Sequence, residues 1–435
     1  MSYPLWEVPH LGGGLLIAIV AIVHVFISQF AVGGGLFLAL ATRKAYRNND
    51  QKWLEYLRHH SRFFVLASVL FGAVTGVGIW FTIALIHAGA TSSLIRIFVW
   101  GWAIEWCFFL IETSAILLYY YGWDRVDARF HQTLAWVYCG ASFLTLAVIN
   151  GIVSFMLTPG AWLENGSFWS GVFNPGYLPQ LVMRTGASLA LAGLYGLVTA
   201  TWRAHPDLKE RLVHWCSKFV LAAFALFPVG AVWLLFVVSP LSRELALGAA
   251  APVAIMNGMT MILSLIILGA TYFGPFRRPA QTSITFAVVV LTLGLLTTGG
   301  AEWVREGIRK PFIIYDYMYS NGVYANQPKD PKGIMATAVW SVYGSVDKAP
   351  SQVAAGEDIF RLQCAECHTI QGYNGVKPLV NGWTQDFAIH QIDRLNMLKG
   401  YMPPFMGTDA ERDALAAYLV QLNAKEGQNN ATAQR

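Results

Sequence analysis

At 435 residues, 55% hydrophobic and only 13% charged, the chain is too apolar for an ordinary soluble protein, and most of it must lie in lipid. Its net charge of +5 is spread through loops between apolar runs and not clustered on a soluble face, which argues against nucleic acid as a partner. The five cysteines do not form a disulfide framework: Cys107, Cys139 and Cys216 stand alone in or beside apolar runs and read as small buried hydrophobes.

The first 300 residues carry repeated apolar runs of about 20 residues, long enough to cross a hydrocarbon core of roughly 30 Å as helices. Eight spans are predicted, at residues 11–42, 63–89, 97–121, 134–157, 179–202, 219–239, 248–274 and 282–306. The first has no small-residue cleavage site behind a short basic lead and reads as a retained helix. The loops after spans one, three, five and seven hold the basic residues, among them Arg43, Lys44, Arg125, Arg129, Arg203, Lys209, Arg277 and Arg278. The opposite loops carry only Arg96 and Arg243. Because Lys and Arg concentrate in cytoplasmic loops, both termini are expected on the outside, which for a bacterial inner membrane is the periplasm. The fold class expected is therefore all-α: a polytopic membrane helix bundle joined to a small all-α soluble domain.

Charges in lipid are costly, so each ionisable residue inside a span is a functional candidate. His24 lies roughly 13 residues into span one, near mid-membrane by the helical rise. Glu105 and Glu112, seven residues apart in span three, share a helical face. Glu302, Arg305, Glu306 and Arg309 gather at the end of span eight. Gly12-Gly13-Gly14 and Gly33-Gly34-Gly35 lack the Lys-Ser/Thr of a phosphate loop and read as close helix packing or approach to a flat cofactor. The aromatic loop 158–178 reads either as an interfacial belt or as a lid or docking surface. His59, His60, His131, His205 and His214 fall in or near basic loops and are expected to be solvated. His10 and His87 lie on the opposite side, where either is a candidate for contact with a haem or its propionate.

After the last span the composition turns polar. Residues 313–350, with the run Pro328-Lys329-Asp330-Pro331, read as a connector, and residues 351–435 as a small domain with a polar tail. Within it, Cys364-Ala-Glu-Cys367-His368 is the C-x-x-C-H pattern: two thiols spaced to bond both vinyl groups of one porphyrin, and a His carried beneath its iron. A zinc site would need two more ligands, and His390 alone does not supply them. Gly400-Tyr401-Met402-Pro403-Pro404 resembles the Met-Pro segment of small class I cytochromes c, which points to Met402 as sixth ligand, with Met406 and Met397 as alternatives. Thr408-Asp409-Ala410-Glu411 reads as a capping box opening a terminal helix, and Gly356 to Phe360 resembles the first helix of that fold.

The membrane region, in turn, resembles subunit I of the cytochrome bd quinol oxidases. The resemblance runs through Ala21-Ile22-Val23-His24, Ala103-Ile104-Glu105, Phe109-Leu110-Ile111-Glu112-Thr113, Tyr121-Gly122-Trp123-Asp124-Arg125, Asn150-Gly151 and Val304-Arg305-Glu306-Gly307-Ile308-Arg309-Lys310-Pro311-Phe312. It covers most of residues 1–312, the expected membrane domain. It implies that His24 is an axial ligand of one of two closely spaced membrane haems, of b and/or d type, and Glu306 of the other. Glu105 and Glu112 would serve the haem environment and the proton route, and Arg309 would steady a propionate. It also implies dioxygen as substrate and a second membrane subunit as partner.

The chain departs from that pattern where quinol is oxidised. Arg184 stands where the family has the His of its low-spin haem b, Ala254 replaces an arginine, although Met256 remains, and the long loop between spans six and seven shrinks to about residues 240–248. The fused haem c offers a replacement. The function expected is respiratory electron transfer: a bd-like terminal oxidoreductase that takes electrons from a periplasmic cytochrome or other donor subunit through haem c and reduces dioxygen at a membrane haem pair. The alternative is a non-catalytic haem-bearing subunit of a larger respiratory complex.

Overall fold

In the computed structural model the described residues are 6–398 and 400–433, with side chains described at 6–397 and 400–423. Among the described residues eight helices are long and apolar enough to cross a membrane: α1 (Gly13–Arg47), α2 (Gln51–Ile86), α3 (Val99–Tyr121), α4 (Ala128–Phe155), α5 (Tyr177–Arg203), α6 (Pro206–Val237), α7 (Ala251–Phe276) and α8 (Ile284–Gly307). Several begin well before the apolar run does, because capping chemistry sets a helix start and hydropathy does not. Asp50 accepts from Trp53 N ahead of α2, Asp127 from Arg129 N and Phe130 N ahead of α4, and Pro206 opens α6. Short helices at Ala88–Ile97, Trp162–Asn165, Phe168–Val172 and Pro240–Glu244 fill the connections.

The chain divides into two compact units. One comprises residues 21–78 and 94–308, the greater part of the spans. Its core is packed through glycine, as helices in lipid require when close van der Waals contact must hold them together. A Cβ at Gly33 would lie 1.9 Å from the Ser188 carbonyl oxygen of α5, one at Gly34 would lie 2.2 Å from the Phe64 ring of α2, and one at Gly35 would lie 2.9 Å from the Tyr138 ring of α4. One glycine triplet thus seats three helices against α1. Large apolar side chains such as Trp106, Leu110, Phe236 and Leu265 are exposed on the outer faces, the expected arrangement for a surface bathed in acyl chains. At the basic end, Lys44 Nζ lies 4.2 Å from the Trp53 ring centroid and 4.6 Å from that of Trp215, while Lys52 pairs with Asp207 at 2.6 Å and Arg211 with Asp50 at 2.7 Å.

Two histidines expected in solvent are buried, and a third is half-buried. The helices reach beyond the apolar runs and fold the adjoining segments inward. His60 is buried among Phe37, Tyr56 and Phe64 and bonded to Thr199 at 2.9 Å. His131 is buried between Tyr46 Oη and the Tyr119 carbonyl. His214 bonds the Phe276 carbonyl at 3.0 Å. Cys107, expected to be buried, is exposed on α3, and Cys216 is buried as expected.

The other unit comprises residues 309–435 with residues 1–20 and 79–93. A short antiparallel pair, β1 (Phe312–Ile314) and β2 (Met318–Tyr319), follows α8. Helices α9 (Gln352–Gln363), α10 (Gln385–Ile392) and α11 (Asp409–Ala433) then enclose an apolar core that includes Ile359, Phe360, Val380, Ile392, Leu415 and Leu419. Helices α9 and α11 cross where Gly356 meets the Ala414 carbonyl, and a Cβ there would lie 2.0 Å from that oxygen. The capping box forms as read: Thr408 N donates to Glu411 at 2.8 Å, and Glu411 N donates to Thr408 Oγ1 at 3.3 Å.

The same Glu411 carboxylate also accepts from Ile334 N at 3.0 Å and Met335 N at 2.8 Å. Asp358, buried on α9, likewise accepts from Ser341 Oγ and Val342 N, both at 2.8 Å, and from Arg361 at 2.6 Å. Hydrogen bonds to a charged acceptor are worth roughly 1.5–3 kcal/mol each. Two buried carboxylates therefore bind residues 334–342 to the helical core.

Candidate haem-binding and electron-transfer sites

Residues Cys364 to His368 follow directly from α9, whose C-terminal turn continues into the motif: His368 N donates to Cys364 O at 2.9 Å and Cys367 N to the same oxygen at 3.1 Å. This turn presents both thiols and the imidazole from one short segment. His368 Nδ1 lies 3.0 Å from the Asn374 carbonyl oxygen, and a carbonyl can only accept. The proton is therefore on Nδ1, and Nε2 keeps its lone pair for a metal, the arrangement that ligating histidines use. Burial lowers the His368 pKa, against an upward pull from that carbonyl, and so favours the neutral imidazole a metal needs. Asn374 Nδ2 in turn donates to Cys367 O at 2.7 Å, closing the loop on itself. Burial pushes the Cys364 thiol up to about 12, so it rests protonated until chemistry consumes it. These donors fit a covalently attached haem. Among the candidate sixth ligands, Met402 and Met406 are half-buried, whereas Met397 is 77% exposed and outside the core.

In the membrane unit, His24 of α1 meets α2. Its Nδ1 lies 3.0 Å from Thr75 Oγ1. The threonine hydroxyl is 2.7 Å from the Phe71 carbonyl, to which it donates. With its one proton committed there, Thr75 can only accept from His24 Nδ1–H, which again leaves Nε2 with the lone pair. Gly76 adjoins the ring: a Cβ there would lie 3.3 Å from His24 Cε1. A protonated Nδ1, an available Nε2 and a bare backbone beside the ring fit an axial haem ligand. Thr75 and Asn374 were not singled out by the sequence, since neither belongs to a motif and each acts through a neighbour's ring nitrogen.

Glu105 and Glu112 are half-buried on α3 and lie within electrostatic reach of each other, as their shared face requires. At the end of α8, Glu302 binds Arg305 at 2.8 Å and Arg184 of α5 at 3.5 Å, and Glu306 lies within electrostatic reach of Glu302 and Arg305. Arg309, in the other unit, is buried. Arg184, Glu302 and Arg305 line one cleft whose other walls, from α1, α5, α6, α7 and α8, are largely apolar. Among the described residues that line it there is neither imidazole nor thiol, Met183 supplies a thioether, and both amide atoms of the buried Gln180 lack a partner among the described residues. Met256 lies nearby on α7, its sulfur 3.5 Å from where a Gly300 Cβ would be. The connection between α6 and α7 is short, with Ser239 capping a single turn at Pro240–Glu244.

The chain is similar in fold to a bd oxidase of Geobacillus thermodenitrificans, with a TM-score of 0.62 and 17% identity over 69% of this chain and 87% of that one. Residues 351–419 match the model of cbb3-type cytochrome c oxidase subunit III. No curated protein sequence matches the chain. The eight apolar helices and the haem-protein families on either side of residue 309 make this a multi-pass membrane protein of respiratory electron transfer that binds haem. Residues 15–243, more than half of the chain, match the model of cytochrome bd terminal oxidase subunit I, and the chain belongs to that family.

Proposed function

We propose that the chain is the catalytic subunit of a bd-like terminal reductase in which electrons enter through the fused cytochrome and not from quinol. One haem c would be held by Cys364 and Cys367, with His368 Nε2 and the Met402 thioether as the groups that would bind its iron. Two membrane haems, of b and/or d type, would be held by His24 Nε2 and by the Glu306 carboxylate, and Arg309 would pair with a propionate. When bound, the haems carry electrons and reduce dioxygen to water. Glu112 and Glu105, two turns apart on one face of α3, hold and pass protons inward. The cytochrome domain lies in the periplasm and receives electrons there from a soluble cytochrome or donor subunit, and a second membrane subunit completes the oxidase.

The observation that carries this reading is Arg184. At the position where the family's low-spin haem histidine is expected, a guanidinium engages Glu302 in a cleft with no imidazole among its described lining residues. The short connection between α6 and α7 also leaves little chain for a quinol loop.

Oxygen uptake by the purified protein tests it. Reduced cytochrome should support turnover and quinol alone should not. Robust direct quinol oxidation would overturn the altered inlet. A core that is six-coordinate and insensitive to carbon monoxide would make the chain a non-catalytic carrier.

A further inference from the structure

The haem-attachment loop does not stand free within its compact unit. Tyr373 N donates to His10 O at 2.8 Å. Gly372 lies so close to that residue that a Cβ would be 2.0 Å from the same carbonyl oxygen. Glycine is therefore required there by the approach of two backbones. Thr369, whose hydroxyl donates to Tyr373 O at 2.9 Å, presents its methyl 3.2 Å from the Cβ position of Gly12, and Gly12 has φ +73.

The segment that receives the loop is itself fixed. Trp6 N donates to Leu85 O at 3.0 Å, its ring meets Phe81 edge-on at 5.9 Å, and Gly12 N closes a turn onto Val8 O at 2.8 Å. From the end of α2, His87 Nδ1 lies 3.5 Å from Glu366 Oε2, and the two side chains are only 13% and 9% exposed. Glu366 stands between the two haem-binding cysteines, so this contact reaches into the attachment motif. At the rim Arg361 approaches Glu7 at 3.8 Å. The chain leading to the domain is held too: Ser93 Oγ and Tyr324 Oη are 3.5 Å apart, and a Cβ on Gly89 would lie 4.0 Å from Gly322 Cα.

We propose that residues 6–12, the end of α2 and residues 87–93 form a socket that grips loop 366–373, making the cytochrome domain a fixed electron inlet and not a shuttle swinging on a tether. His87 is a positioning residue in this socket, and Gly372 is the point of closest approach. An external electron donor must then use a face of the domain outside this loop. The proposal rests on reading Cys364, Cys367 and His368 as the haem c site.

Amide hydrogen exchange on the full chain in nanodiscs tests the socket directly. Peptides covering 6–12 and 366–376 should be protected together in the unaltered protein. Gly372→Leu should speed their exchange by about tenfold or more, with the covalent haem retained. Should that variant fail to take up haem, His87→Leu, remote in sequence from the motif, should raise exchange in both peptides. Exchange at unstructured rates in the unaltered protein, or no change in a variant that keeps its haem, would overturn the proposal. Flash reduction of haem c gives a second readout: transfer inward should be independent of solvent viscosity for a fixed inlet, and viscosity-dependent transfer would indicate a shuttle. Absence of the membrane haems would abolish that transfer yet leave the exchange pattern intact, which separates failure of the oxidase reading from failure of the socket.

Discussion

His368 and His24 present the same chemistry by different means. Both have Nδ1 engaged and Nε2 available, but His368 is oriented by Asn374, six residues away, whereas His24 is oriented by Thr75 from another helix, 51 residues away. An imidazole oriented from within one short loop is set by local sequence. An imidazole oriented across two helices is set only where the bundle holds α1 against α2. This is why the first candidate site could be read from five residues, while the second needed the whole pattern of the family.

Cys364→Ala with Cys367→Ala should break the comparison most completely. Covalent haem should vanish from a denaturing gel stained for haem while the membrane haem absorbance stays; loss of every haem signal together would show that the two sites are not independent. His24→Ala should remove or shift one membrane haem and leave the haem c band unchanged. An unaltered spectrum in the membrane region would rule His24 out as a ligand. The smallest effect sharpens the contrast. Thr75→Val keeps the shape but not the acceptor, so the membrane haem should be retained about 10- to 100-fold less tightly, the usual cost of losing a hydrogen bond behind a metal-bound histidine. If haem titration of the variant matches the unaltered protein, Thr75 does not set the tautomer.

What the sequence disclosed follows the same division. Contiguous signals were legible: eight apolar runs, the C-x-x-C-H pattern, the capping box at Thr408 and Glu411, and the glycine triplet at 33–35. Signals that depend on distant partners were not. Arg184 could be read as a departure, but its pairing with Glu302 joins residues 118 positions apart. His60 and His131 were misplaced because charge in the surrounding loop suggested solvent, whereas the capped helices carry both rings into aromatic packing. Cys107 was misjudged because an apolar neighbourhood in a membrane helix can face lipid as well as the interior.

The double duty of Glu411 sets where the cytochrome domain can be cut from the rest. Severed at residue 351, where the match to its family begins, the domain would carry a carboxylate stripped of two amide donors and a core missing Ile334 and Met335. A fragment starting ahead of Gly333 keeps both, so any attempt to express the soluble portion alone should begin there.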